Sequence, residues 1–510
     1  MASHPLPSSE SFPEKEGEKE SSPIEESMEE MLNKTECHFA WRPDQHGRIP
    51  PGSNNITRME ENKNSLKQDN DPFLLAISDL LLAYEHGRLD DPKKSLEILQ
   101  RIQSEIAKMH GAKSEERETL QYLTSCNLAY VHLLMGKPDA AREILDRTQR
   151  FSESQGKIKA QIFYAKAAAF SEFSKELYPD ALEFYREGLM MDPENYNLQL
   201  GMGIMLGRIR RNESSACITT DEENEEIKAL RKAVQIKRCH RSLVFLAESL
   251  REHARALESA KAPKSDEDLI TKLNEEALEL YIEVSEDPSA NAESLVRCGE
   301  GFMRLPEEMR DAQKAKECYL KAYKLSPKKS MVNHKLGVFY TKEDPTLAKK
   351  HLEAAIDISY GEGNFAAHMT YVNLMLDTEK TFDPADEWKK MLERYPELFC
   401  QIELHILQMQ YISQQKPKIG FSHAENALET LLQMKKPRKI FGSSYNLSKK
   451  GVRVKTKHPP KKFAHEHLLD GLKSLKKGLP QKQDQIDTMI EKVTTWENAH
   501  LATPEIASHA

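Results

Sequence analysis

Residues 312–327 read AQKAKECYLKAYKLSP, and inside this run the frame Ala315-x-x-x-Tyr319-x-x-Ala322-x-x-x-x-Pro327 decides the fold. Ala315 is small enough to let two helices approach closely. Tyr319 and Ala322 fill the next helix interface, and Pro327 stops the helix because it lacks a donor and clashes with the turn before it. A second frame follows directly: Leu336-Gly337-x-x-Tyr340, then Ala348, Leu352 and Ala355. The same order recurs upstream in Ala181, Tyr185, Gly188 and Pro193, with Asp192-Pro-Glu-Asn195 as the turn. It recurs again at Leu128-Ala129 followed by Gly136, Ala141 and Leu145, and more weakly at Leu82-Ala83 followed by Ser95 and Leu99.

Tetratricopeptide repeats (TPRs) place these residue types in this order. Several frames in register predict an all-α protein built as a TPR-type helical superhelix, an α-solenoid; a central basic channel is what the resemblance described below adds. One helical pair cannot bury its apolar face alone, so stacking pairs builds the core and leaves a concave inner surface for a ligand. Between Ala181 and Ala315 the frame fades, and Asn212–Asn224 reads as a polar insertion, so breaks in the superhelix are expected there.

Composition agrees with a helical array. The chain has 510 residues, 39% hydrophobic and 30% charged, with only 7% aromatics and 21 glycines, which disfavours sandwiches, barrels and Gly-rich nucleotide folds. No run approaches the length of a membrane span. The first thirty residues are rich in Ser, Pro, Glu and Lys and carry no signal-like apolar segment, so a cytoplasmic protein with no membrane partner is expected. The seven cysteines form no C-x-x-C pair, which reads as a reduced chain without a metal module. Four segments emerge. Residues 1–30 are a disordered acidic tail, 31–432 the superhelix, 433–463 a flexible basic loop, and 464–510 a C-terminal helical pair and tail.

The basic loop holds Lys435, Lys436, Arg438, Lys439, Lys449, Lys450, Arg453, Lys455, Lys457, Lys461 and Lys462 and no acidic residue. It reads either as a solvated loop or as a phosphate-attracting segment. The net charge of -8 excludes uniform attraction of nucleic acid but leaves room for a local basic channel. No phosphate loop, dinucleotide fingerprint, nucleophile elbow, zinc-protease or kinase motif is present, so no catalysis, cofactor or metal is expected. His351 and His368 lack ligand spacing, and His465 and His467 lie two apart on different helix faces. The chain is therefore read as a binding protein. Arg208, one turn from Ile204 on the run Gly201–Arg208, and Arg297 and His334 on later first helices are the candidates for an inner face.

Several short motifs, taken in order, resemble those of the interferon-induced proteins with tetratricopeptide repeats. Cys37-His38-Phe39-Ala40-Trp41 resembles that family's C-H-F-T-W, and Leu81-Leu82-Ala83-Tyr84 its L-L-A-Y. Asn127-Leu-Ala-Tyr130 through Met135-Gly136 is similar to N-F-A-W…M-G, and Asp192-Pro-Glu-Asn195 to D-P-E-N, followed by the Gly201…Ile204…Arg208 helix. Val296-Arg297…Phe302-Met-Arg304 and His334-Lys-Leu-Gly337 resemble F-R-Y…F-Y-R and H-Q-I-G. The resemblance spans roughly residues 31–400.

It implies a clamp whose positively charged tunnel takes the 5′ end of single-stranded viral RNA, triphosphorylated or capped without full methylation, and sequesters it from translation. Carried over residue by residue, Arg208 matches an arginine on the 5′ phosphates and Ile204 an apolar contact one turn away. Tyr178 matches a pocket tyrosine, Arg297 an arginine on the RNA backbone, His334 a tunnel histidine, and Arg58, across a gap, an amino-terminal phosphate-binding arginine. Departures are expected to matter. The family's stacking tryptophan falls near Ala168, its lysine one turn later on Glu172, and its glutamine beside the histidine on Lys335. Triphosphate is therefore expected over cap. The rival expectation is a TPR protein–protein scaffold in innate immune signalling, with partners among TPR family proteins or a second copy.

Overall fold

The computed structural model describes residues 28–46, 55–69, 71–109, 113–148, 150–212, 224–259, 267–358, 362–413, 416–434, 439–440, 445–448, 451–454 and 462–501. Three short helices open it: α1 (Met28–Asn33), α2 (His38–Trp41) and α3 (Pro43–His46). Then come α4 (Ile56–Leu66), α5 (Pro72–Arg88), α6 (Pro92–Ile106), α7 (Ser114–Leu134), α8 (Pro138–Asp146), α9 (Gly156–Phe173) and α10 (Tyr178–Met191). The middle is α11 (Tyr196–Asn212), α12 (Glu225–Ile236), α13 (His240–Ser259), α14 (Glu267–Glu286), α15 (Ala292–Arg304), α16 (Ala312–Leu325), α17 (Ser330–Glu343) and α18 (Pro345–Ile358). The last helices are α19 (Glu362–Thr378), α20 (Pro384–Arg394), α21 (Leu398–Ile412), α22 (Pro417–Gln433), α23 (Ala464–Gly478) and α24 (Gln483–Leu501).

The architecture is an all-α TPR-type solenoid. Turn chemistry sets its rhythm. Asp71, Asp91, Asn195, Asn224, Asn291 and Asp311 each accept a bond from the backbone N–H three residues on, at 2.8–3.2 Å, and so satisfy a donor at a helix start. The α7–α8 turn bends through Gly136 at φ +71°, a conformation that a side chain would strain. Within the deciding frame, Ala315, Tyr319 and Ala322 are all buried, as are Leu336, Tyr340, Ala348, Leu352 and Ala355.

The expected breaks between Ala181 and Ala315 are absent from the described residues there: α11 and α12, α13 and α14, and α15 and α16 pack as neighbouring pairs. Glycine joins buried alanines such as Ala233, Ala247 and Ala277 at the close approaches. A Cβ on Gly203 would stand 2.5 Å from Leu230 Cγ, and one on Gly299 2.6 Å from the Tyr319 ring. The polar insertion itself lies outside the described residues from 213 to 223.

The core runs along the array in overlapping sections, Cys37–Met205, Leu200–Leu374, Phe365–Tyr411 and Ile402–Trp496. The Cys37–Trp41 motif anchors the amino end, with Cys37, His38, Phe39 and Trp41 all buried. Residues 1–27 of the expected acidic tail lie outside the described residues. In the expected basic loop, β1 (Lys439–Ile440) pairs antiparallel with β4 (Lys462–Phe463), and β2 (Tyr445–Ser448) with β3 (Gly451–Val454). Lys435, Lys436, Arg438, Lys449, Lys450, Lys455, Lys457 and Lys461 lie outside the described residues.

One segment crosses the array. At its start, α4 reaches α9: Arg58 donates to the Glu172 backbone oxygen and faces its carboxylate at 3.6 Å, and Asn62 donates to Glu172 at 3.2 Å. The turn just after α4 reaches the middle repeats. Gln68 donates to Ser326 at 2.9 Å, the Ala292 N–H donates to Gln68, and Asn291 donates to Asp69. These ties join positions 110 to 258 residues apart and close the curvature around the inner face.

Candidate nucleic-acid interface

The arginines of the inner helices divide into two groups. Arg210 Nε donates to Glu226 at 2.8 Å and its Nη2 to Glu252 at 2.7 Å, and Arg211 reaches Glu252 at 3.1 Å. Arg297 donates to Glu248 at 2.8 Å and to Glu293 at 3.1 Å, and its guanidinium lies 4.4 Å from the centre of the Phe245 ring. Lys335 holds Glu300 at 2.6 Å, and Arg304 shares that carboxylate at 3.0 Å. Arg297, Lys329 and Arg241 keep Glu293 ionised down to about 2, although its burial acts the other way. The cations expected to make the channel basic are present, but these are matched by carboxylates.

Arg208 and Arg241 differ. Both are part-buried, and neither makes an ion pair or hydrogen bond to another described residue. Neither guanidinium has a hydrogen-bonded carboxylate among the described residues, although Asp69 and Glu293 act on Arg241 at longer range, so both keep donors free to bind. Both line one cleft, with roughly 930 Å³ of empty space including its open mouth. The cleft's apolar wall includes Leu74, Ile77, Ala165, Ala168, Ile204 and Met205. Tyr164, Tyr185, Ser78, Asn197 and Glu172 add polar atoms, and α4 contributes Met59, Asn62 and Leu66. Both arginines act electrostatically on Tyr185, which burial nonetheless pushes well above the usual phenol range.

The expected site residues therefore fall into two places. Arg208 and Ile204 lie in the cleft, and so do the two expected departures, Ala168 and Glu172. Tyr178 stands outside the lining, with the Arg208 guanidinium 5.8 Å from its ring centre. Arg58 is about half exposed and engaged by Glu172 at the cleft's edge. Arg297, His334 and Lys335 lie on α15 and α17, outside the cleft lining. Burial drops the His334 imidazole to about 4, so it is neutral at physiological pH.

Of the aromatics on the same helix as Ala168, Tyr164 lines the cleft, while Phe170 packs edge-on against Phe184 and Phe163 against Phe151. Sequence reasoning missed Arg241. Its one signal was position: the second residue of α13, directly after the basic Lys237-Arg238 turn. It also missed His38 as a cleft residue, because a buried motif reads as core.

Among the described residues, no group of three or more His, Cys, Asp or Glu could hold a metal ion, and no helix is long and apolar enough to cross a membrane. Cys37, Cys126, Cys298, Cys318 and Cys400 are buried free thiols, and Cys239 is a half-buried one.

An all-α TPR solenoid with a cleft lined by two arginines is the class that fold and site define. A tetratricopeptide repeat model matches residues 307–329, the stretch that decided the fold. The solved human IFIT1 dimer with m7Gppp-AAAA is similar at TM-score 0.55 and 16% identity, over 92% of this chain and 99% of that one. A monomeric IFIT1 mutant with Gppp-AAAA gives TM-score 0.56 at 16% identity, over 92% and 98%. The human IFIT1 dimer with PPP-AAAA gives 0.54 at 15%, over 93% and 99%. No curated protein matches the chain significantly in sequence.

Proposed function

We propose that this chain is a cytosolic antiviral RNA-binding protein, a divergent relative of the interferon-induced tetratricopeptide proteins, that sequesters single-stranded RNA by its 5′ end and performs no catalysis. The observation that carries the reading is the unpaired Arg208 and Arg241 on one cleft. Two planar guanidinium forks suit the oxygens of a terminal triphosphate, because arginine binds phosphate bidentately. The fold supports it as well: the IFIT1 structures that share this architecture hold PPP-AAAA, Gppp-AAAA and m7Gppp-AAAA. Arg297, His334 and Lys335 would flank the strand beyond the end group. Their carboxylate partners would limit how far the rest of the channel attracts phosphate.

The test is a competition titration of one short single-stranded RNA bearing a 5′-triphosphate, a cap or a 5′-hydroxyl, at two salt concentrations. The reading expects triphosphate to win and its preference to shrink with salt. Equal binding of all three ends would place any RNA site elsewhere, with the basic loop first.

A second reading, a TPR scaffold for protein partners (other TPR proteins or a second copy), draws on Glu172 in the cleft and on the paired state of Arg210, Arg211 and Arg297. A pull-down whose partners survive nuclease, and survive Arg208→Ala, would favour it. Partners lost on nuclease treatment would count against it.

A further inference from the structure

Among the described residues that line the cleft, Arg241 alone comes from beyond α11. It is the second residue of α13, so whatever fixes the start of that helix sets where its guanidinium stands. His240, the first residue of α13, is buried and gripped from two sides. Its Nδ1 lies 3.0 Å from Ser294 Oγ on α15, and its Nε2 lies 3.6 Å from an Asp69 oxygen. Burial lowers this imidazole below its ordinary range, so it is neutral at physiological pH and carries one proton. A carboxylate only accepts, so that proton belongs on Nε2, facing Asp69, and the Ser294 hydroxyl donates to Nδ1.

The same Asp69 oxygen accepts from Asn291 Nδ2 at 2.5 Å, and Asn291 Oδ1 accepts the Ser294 N–H at 2.8 Å. Next to it, Gln68 accepts the Ala292 N–H and donates to Ser326 Oγ, both at 2.9 Å. The short turn Lys67–Asp69 thus holds the start of α13, the start of α15 and the residue after α16. Asn291, Ala292 and Ser294 are all buried. A buried polar network with its bonds made is rigid, and a member stripped of its partner is costly. The turn also continues from α4, which supplies Met59, Asn62 and Leu66 to the cleft. It therefore couples two walls of one site.

We propose, resting on the 5′-end reading above, that the Gln68–Asp69 turn is a latch that positions Arg241 for the ligand. Neither residue lines the cleft. Gln68 is uncharged, so its effect on a bound phosphate passes through the placement of α13. Asp69 also acts on the charge of Arg241, as Glu293 does, so Gln68 is the cleaner position to perturb.

The experiment is a double-mutant cycle on the intact protein, read as dissociation constants for 5′-triphosphate and 5′-hydroxyl forms of one short single-stranded RNA. Gln68→Ala removes both bonds of the uncharged half of the latch. It is expected to weaken the triphosphate form by about three- to tenfold, and by no more than Arg241→Ala does, since it forfeits only what that arginine supplies. On the Arg241→Ala background the same substitution should cost less than about twofold, whereas on Arg208→Ala it should keep its cost. A purely structural role would cost the same on both backgrounds. Hydrogen exchange, read without RNA, should show the Ala292 amide exchanging faster in Gln68→Ala while α21–α24 keep their protection. Ser326→Ala removes the Gln68 anchor 258 residues away and carries the same cycle if Gln68→Ala does not fold.

An equal cost on the Arg241→Ala background overturns the latch and leaves the 5′-end reading standing. So does an unchanged triphosphate affinity in both Gln68→Ala and Ser326→Ala, or an Ala292 amide that exchanges no faster. No preference for triphosphate over hydroxyl on the unaltered protein overturns the 5′-end reading beneath it.

Discussion

Arg297→Ala separates a wall residue from a ligand residue. The guanidinium is 23% exposed and bridges Glu248, 17% exposed, and Glu293, 33% exposed. Removing one partner of a buried ion pair costs about 3–5 kcal/mol, because the other charge stays behind without compensation. These partners are not fully buried, and Lys329 remains 3.6 Å from Glu293, so some of the loss is recovered. The expected destabilisation is about 2–3 kcal/mol, between the exposed and buried limits. Urea unfolding followed by helical circular dichroism should show a lower midpoint at unchanged slope. The change should also depend on pH. Glu293 is held down to about 2 against an ordinary 4.5, so its contribution is present above that ordinary value and is lost as pH falls toward 2. The variant should show a shallower acid leg, because Lys329 and Arg241 still act on Glu293. Affinity for a 5′-triphosphate RNA should change little. An unaltered midpoint together with a large loss of affinity would show that Arg297 serves the ligand, and would refute the reasoning.

Gly337→Ala should destabilise by about 1–2 kcal/mol, since overpacking outweighs the gain in helix propensity; the new Cβ would stand 2.6 Å from Leu352 Cγ and 3.3 Å from its backbone nitrogen, and a thermal melt reads the result. Stability should fall as pH drops below 6.5. His38 is held neutral down to about 3 by burial, so only the unfolded chain takes up the proton in that window, at about 2 kcal/mol by pH 5. His334 and His405, both lowered by burial to about 4, act with the same sign, and unfolding midpoints across pH 4–7 measure the sum. Glu172→Gln should tighten triphosphate RNA a few-fold by removing up to about 1 kcal/mol of repulsion in the cleft, read by the same titration at low salt.

Much of the fold was legible because small residues at helix crossings leave a periodic trace. Ala315, Ala322 and Ala348 sit fully buried at crossings, as the frame requires. The trace was fainter between α10 and α16, where Gly203, Gly299 and Gly301 share the task with buried alanines such as Ala277. Glycine is ambiguous in a sequence, since it also marks turns and breaks. The site was legible only where the chain is local. Ile204 and Arg208 share a face by helical spacing, whereas Ala168 and Glu172, on another helix, were placed beside them only by the family resemblance. Arg241 comes from another repeat and His38 from the amino-terminal motif, so only tertiary packing brings them to the cleft. Charge compensation was illegible for the same reason: Glu248 lies 49 residues from Arg297, and Glu300 lies 35 from Lys335.

The most direct test of the central claim is a thermodynamic cycle on Arg241, the cleft cation that only the structure reveals. Dissociation constants are measured for 5′-triphosphate and 5′-hydroxyl forms of one RNA, on the unaltered protein and on Arg241→Ala, with Arg208→Ala beside it. The account predicts that each substitution weakens the triphosphate form by about tenfold or more, as charged hydrogen bonds of ~1.5–3 kcal/mol are lost, and leaves the hydroxyl form nearly unchanged. A triphosphate preference that survives both substitutions would contradict it.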